Sequence, residues 1–177
     1  PLPAKDTNLV PNGTFSAGVQ DWGVGSAGIL DTTVYKTPDV TNDAGDTNSL
    51  RITAAKLWET VGPPRLPVVP KVDYHIACWM KLDKAVQAHV KFYWMDAAGQ
   101  RIATVYLCTG MDGTVDWFEK SGIFTAPANA AAIDMIFLSG GQPEAPGTLW
   151  IDRVVVEPWA APSTSMADWQ QALHDQY

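Results

Sequence analysis

The chain has 177 residues, 46% of them hydrophobic and 18% charged, which suits one globular domain plus a short appendage and is not the composition of a disordered chain. Lys and Arg total 12 against 19 Asp and Glu, a formal charge of −7. That balance argues against a nucleic acid partner, which needs a basic stripe, and against an anionic membrane surface, while leaving neutral ligands and bound cations open.

No apolar run reaches the roughly 18 residues of a membrane span. The chain starts at Pro1 without a charged, apolar leader. The expectation is that a signal peptide has been removed or that the sequence begins inside a longer protein.

Gly and Pro punctuate the sequence throughout, and short β-rich runs lie between them. Weak strand candidates are Ile29–Tyr35 and Val68–Val69. Stronger ones are Leu50–Thr53, Tyr74–Leu82, Ala88–Met95, Ile102–Cys108, Phe118–Thr125, Ile133–Leu138 and Leu149–Glu157. Asp83 to Gln87 and Asp96 to Gly99 read as hairpin turns. Side chains alternate faces along a strand. One face then holds Tyr74, Ile76, Cys78, Met80, Val90, Phe92, Trp94, Ala103, Val105 and Leu107, a core face. The other holds His75, Trp79, Lys81, His89, Lys91, Tyr93, Thr104 and Tyr106, polar yet bearing three large aromatics.

After Pro158 the character changes. Residues 159–177 read as a linker and an amphipathic helical tail, with Ser165 to Asp168 resembling a capping box. Met166, Trp169, Leu173 and Tyr177 share one helical stripe. Cys78 and Cys108 are either two buried free thiols or a disulfide, and the sequence leaves both open.

No nucleophile elbow, zinc motif or phosphate loop is present. Two carboxylate pairs, Asp112 with Asp116 and Asp134 with Glu119, are candidates for glycosidase-like chemistry, and no spacing singles one out. His75 and His89 across a hairpin face lack a third metal ligand. Asn12-Gly13-Thr14 satisfies the glycosylation sequon but reads as structural.

Three groups of residues together resemble carbohydrate-binding modules of the jelly-roll type, of families 4, 9, 16 and 22. The first is Asn8 to Phe15 followed by Asp21-Trp22. The second is Ser49 to Ile52 followed by Tyr74 to Lys81. The third is Trp117, then Phe124 to Pro127, then Leu149 to Val154. The resemblance spans roughly residues 8 to 157. It implies an all-β jelly-roll sandwich of two antiparallel sheets over 1–158. It implies a non-catalytic domain that binds a polysaccharide or oligosaccharide, beside an appended catalytic domain of a secreted or cell-surface protein. It also implies a structural calcium ion. Asp152 matches the family carboxylate and carbonyls near Thr14 and Ser49 contribute, but Ser16 stands where relatives have Glu, which removes an anionic ligand.

Sugars stack on exposed aromatic rings while polar neighbours satisfy their hydroxyls. Trp58 is the leading stacking candidate. Trp79, Tyr93 and Tyr106 form a second candidate platform, flanked by His75, His89 and Lys91. Trp22, Trp94 and Trp117 read as core. Trp150 and Trp159 are candidate rim residues. The alternative is a structural or protein-interaction sandwich, such as an adhesin or phage-fibre domain, in which those rings are covered.

Overall fold

A computed structural model describes residues 8–24, 28–31, 48–53, 60–140 and 147–159. The expected helical tail lies outside the described residues. Among them there are seven strands and no helix: β1 (Gly28–Asp31), β2 (Ser49–Ile52), β3 (Leu66–Pro67), β4 (Asp73–Met95), β5 (Arg101–Thr125), β6 (Ala132–Leu138) and β7 (Thr148–Pro158). All pairings between these strands are antiparallel.

The order is β1-β2-β7-β4-β6-β3, with β5 paired to the free side of β4 along its length. β4 organises this arrangement. Its first half, from Tyr74 to Asp83, pairs with β7. Its second half, from His89 to Met95, pairs with β6.

β4 also doubles back on itself. A straight strand between Tyr74 and Trp94 would span roughly 65 Å. Yet the two rings lie 6.3 Å apart. Phe92 likewise meets Phe124, the ladder partner of Tyr74, edge-on at 5.2 Å. The two halves of β4 therefore face each other across the core, each within its own sheet. One sheet is β1-β2-β7 with the first half of β4 and the second half of β5. The other is β3-β6 with the second half of β4 and the first half of β5. This is the jelly-roll sandwich that the resemblance implies.

The bend has a local cause. The β4–β5 register slips repeatedly between Met80 and Lys91. Lys84 and Gln87 hold positive φ on β4, and Gly110 and Gly113 do so on β5. Bulges of this kind add residues to one strand, bend it and increase its twist. Asp83 to Gln87 is therefore not a hairpin turn. The hydrogen-bonded ladder continues through it, and Tyr74–Leu82 and Ala88–Met95 are one strand. Ile102–Cys108 and Phe118–Thr125 are likewise one strand, β5. The turn over Asp96 to Gly99 forms as expected, with Asp96 accepting from the Gln100 N–H at 2.8 Å.

The inward alternation survives the bend. Tyr74, Ile76, Cys78, Met80, Leu82, Ala85, Ala88, Val90, Phe92 and Trp94 are all buried. Val105 and Leu107 pack partly buried against them. Both cysteines are free thiols. Cys108 lies 3.9 Å from the Met80 sulfur, and burial pushes its pKa up to about 11.

The N-terminal segment closes the β7 edge. The Leu9 and Val154 amides bond to Val156 and Gly13 carbonyls, and Asn8 bridges Val154 and Val156. A Cβ on Gly13 would run into the Val154 carbonyl, so the chain needs glycine there. The Asn12 side chain donates to the Gly18 carbonyl and accepts from the Ala17 N–H, which commits the sequon amide to its turn.

Phe92 is fully buried where the two sheets meet. Phe92→Ala is expected to destabilise the protein by about 3–5 kcal/mol, through lost transfer energy and a residual cavity. Chemical denaturation of both proteins measures this directly.

Candidate functional site

Inward residues of β4 fill the core, and its outward residues other than the buried Ala77 lie on the outer faces of the two sheets. Because β4 folds over, the outward faces of its two halves point away from each other. The residues expected to form one aromatic platform are thus divided between two opposite surfaces.

On the β7 side, His75 and Trp79 belong to the first half of β4. His75 Nδ1 lies 3.0 Å from a Glu157 carboxylate oxygen, and its ring is 5.6 Å from that of Trp159. Trp159 is 38% exposed. Trp79 is half-buried and stands in register with Asp152 on one side and Glu119 on the other. Lys81 extends this face, with Nζ 3.4 Å from Asp116 and 6.0 Å from the Trp150 ring. The Trp117 N–H and Lys81 together hold the Asp116 carboxyl below its usual range. Trp22 and Trp94 are core as expected, but Trp117 is only half-buried.

The opposite surface gathers His89, Lys91, Tyr93 and Tyr106. Lys91 pairs with Tyr106 across the ladder, and Tyr93 with Thr104. The Lys91 ammonium sits 5.6 Å from the Tyr93 centroid and 5.9 Å from the Tyr106 centroid. The His89 and Tyr106 rings are 6.0 Å apart. Tyr106 is 49% exposed.

Arg101, at the hairpin end of this surface, is not marked by the strand alternation. Its guanidinium lies 3.6 Å from the Tyr93 centroid, close stacking that favours a cation over the ring face. Arg101 opens β5, and its ladder partner Met95 is two positions beyond Tyr93. A cation diagonal to an aromatic across a short hairpin is the signal that would have found it.

His89 is tied into the bend. Its Nδ1 accepts the Gly110 N–H at 3.1 Å and lies 2.6 Å from the Thr109 hydroxyl. Burial first, and Lys91 second, lower its pKa from 6.5, while Asp112 opposes them.

Three of the four candidate carboxylates have other partners. Asp134 lies 3.4 Å from Arg65 on the β6 side, whereas Glu119 belongs to the other surface. Asp112 accepts the Gln87 N–H at 2.7 Å and Asp116 is held by Lys81. Among the described residues no group of three or more His, Cys, Asp or Glu side chains is placed to hold a metal.

The residues connected with calcium also divide. Ser49 and Asp152 are both fully buried and flank the Leu50–Ile151 pair. Thr14 and Ser16 are exposed, with their hydroxyls 3.3 Å apart. The Phe15 carbonyl accepts the Asn48 side-chain amide at 3.0 Å. A buried carboxylate beside a buried hydroxyl is donor chemistry that suits a hard cation. Trp58 lies outside the described residues.

A family model of carbohydrate-binding domains matches residues 7–146. The chain belongs to this family. The match supports a non-catalytic binding module. A comparison with curated proteins finds no match.

Solved structures share the fold of this carbohydrate-binding domain. A xylan-binding domain of family 22 aligns with a TM-score of 0.62 at 15% identity, over 89% of this chain and 99% of that one. The enzymatically active domain of bacteriophage CBA120 tailspike protein 4 aligns with a TM-score of 0.66 at 13% identity, over 86% of this chain. The CBM22-1–GH10 modules of Clostridium thermocellum endo-1,4-β-D-xylanase 10B, complexed with xylohexaose, align with a TM-score of 0.55 at 12% identity, over 87%. The chain spans only 22% and 28% of those last two proteins. At these identities the likeness shows the fold alone.

Because the His89 pKa is depressed, the unfolded chain binds the extra proton more readily. Stability linked to His89 is therefore expected to fall as pH drops below about 6.5. An NMR titration should place the His89 midpoint below that of the unfolded chain. Lys91→Gln should raise it only in part, since burial is the larger cause.

Proposed function

We propose that this carbohydrate-binding domain holds a polysaccharide on the outer surface of the β3-β6-β4-β5 sheet, by stacking against Tyr106. The observation that carries the reading is Tyr106 itself. It is a ring half open to water just past the last slip of the β4–β5 bend, with Lys91 and His89 beside it and Arg101 nearby on Tyr93. An apolar ring face meets the C–H face of a pyranose, and the surrounding N–H donors satisfy its hydroxyls. Strand positions hold these groups in fixed relation.

An open, wet surface of this kind gives weak affinity. Weak binding is sufficient for a tether. Linked to a catalytic domain in a secreted glycan-degrading enzyme, the module would keep that domain close to its substrate by raising its effective concentration. The family match and the modular organisation of the xylanase support this reading. Trp79 with His75 marks the opposite surface as the competing location.

Calcium belongs to the same proposal. Asp152 would supply the carboxylate and Ser49 a neighbouring oxygen, with backbone carbonyls of the Thr14–Ser16 segment completing the set. The ion would fasten the N-terminal segment to β2 and β7. A thermal melt in calcium is then expected to exceed one in chelator. An unchanged midpoint counts against the ion.

Affinity gel electrophoresis against a panel of soluble polysaccharides tests the glycan site. The wild-type chain should be retarded by at least one, and Tyr106→Ala should lose about tenfold in affinity while keeping its melting temperature, taking the stack to be of the order of a base–aromatic one, about 1–3 kcal/mol. Retardation abolished by Trp79→Ala but untouched by Tyr106→Ala would move the site to the other surface. Absence of retardation by every glycan would support the structural or protein-interaction sandwich instead.

A further inference from the structure

The protein carries a net charge of −7, yet its candidate binding surface presents two cations. Lys91 and Arg101 both lie against the Tyr93 ring, on the same side of the sheet as the open Tyr106 ring. Among the described residues neither Lys91 nor Arg101 has a carboxylate within ion-pair distance. The carboxylates on this surface have other partners, although Asp134 stands opposite Tyr93 in the β4–β6 ladder. Asp134 lies beside Arg65, Asp96 accepts from Gln100 at the hairpin tip, and Asp112 accepts from Gln87 at the bend.

We infer that the ligand of this surface is an anionic glycan, one whose sugars bear carboxylate or sulfate groups. The inference rests on the glycan-binding reading above and narrows its substrate class. Arg101 is the specific element. Its guanidinium carbon lies 3.6 Å from the Tyr93 centroid, and a guanidinium stacked on a ring keeps its N–H edges for an acceptor. That fork matches a planar carboxylate with two parallel hydrogen bonds. Lys91, between the two tyrosines, adds a point charge within reach of a sugar seated on Tyr106.

The overall negative charge does not cancel this. At physiological salt the Debye length is about 8 Å, so remote carboxylates are screened while contacting cations act in full. Two unpaired cations beside an aromatic ring also disfavour a neutral ligand that would bury them without a counter-charge. An acidic protein that opposes polyanions in general thus gains a local preference for one bearing sugar rings.

The test uses the full chain in affinity gels containing polygalacturonate, a sulfated galactan, or a neutral xylan, at low and high salt. Retardation by polygalacturonate is expected, weakening as salt rises. Arg101→Gln and Lys91→Gln should each weaken it about tenfold, the loss expected for one charge-assisted hydrogen bond. Retardation by the sulfated galactan in its place, lost in the same variants, upholds the anionic class and identifies sulfate as the group. Retardation by xylan alone, insensitive to salt and to both substitutions, overturns the anionic assignment while the glycan-binding reading stands. Failure of all three probes overturns both. The salt dependence is read on the wild-type chain and does not depend on either variant folding.

Discussion

Everything on the surface of this domain follows from one strand meeting itself. Tyr74 and Trp94 belong to the same 23-residue β4, and their rings touch across the core. A flat strand cannot do this. Bulged positions around Lys84 and Gln87, matched by glycines on β5, bend the hairpin so that a single continuous ladder serves two stacked sheets. The apolar side of β4 is then enclosed twice over, and its polar side is split into two surfaces facing in opposite directions.

That split determines which side chains can cooperate. Trp79 and Tyr93 lie on the same strand with the same outward parity, yet no single ligand can bridge them by lying on one sheet. Tyr93, Lys91, Tyr106 and His89 do act together, because the β4–β5 ladder places them in neighbouring rows. Tyr93 serves its cations more than it serves a sugar: Arg101 covers one ring face at 3.6 Å. The open ring is Tyr106. The result is a surface with one open ring and two positioned charges in place of a row of three aromatics.

The alternation of apolar and polar residues made the core face of β4 legible, because period-two patterning is a local property of any half-buried strand. Ile76, Met80, Phe92 and Trp94 are buried as that pattern requires. The opening Asn8–Phe15 segment and the closing strand through Asp152 were legible as family features. The bend was not. Asp83 to Gln87 carries the polar residues and the Lys84 and Gln87 conformations that also mark turns. Whether such a segment ends a strand or only bulges it depends on the partner strand opposite, which local sequence does not display. The separation of Trp79 from Tyr93 was hidden for the same reason. Arg101 escaped notice because its contact with Tyr93 is diagonal across a hairpin, outside the reach of simple alternation.

The central claim is that a glycan seats on the Tyr106 surface of the second sheet. Backbone amide chemical-shift mapping during titration with a bound oligosaccharide addresses it most directly. The account predicts that the largest changes cluster at Lys91, Tyr93, Arg101, Thr104 and Tyr106. Changes confined to His75, Trp79, Trp150 and Trp159, with that cluster silent, would contradict it.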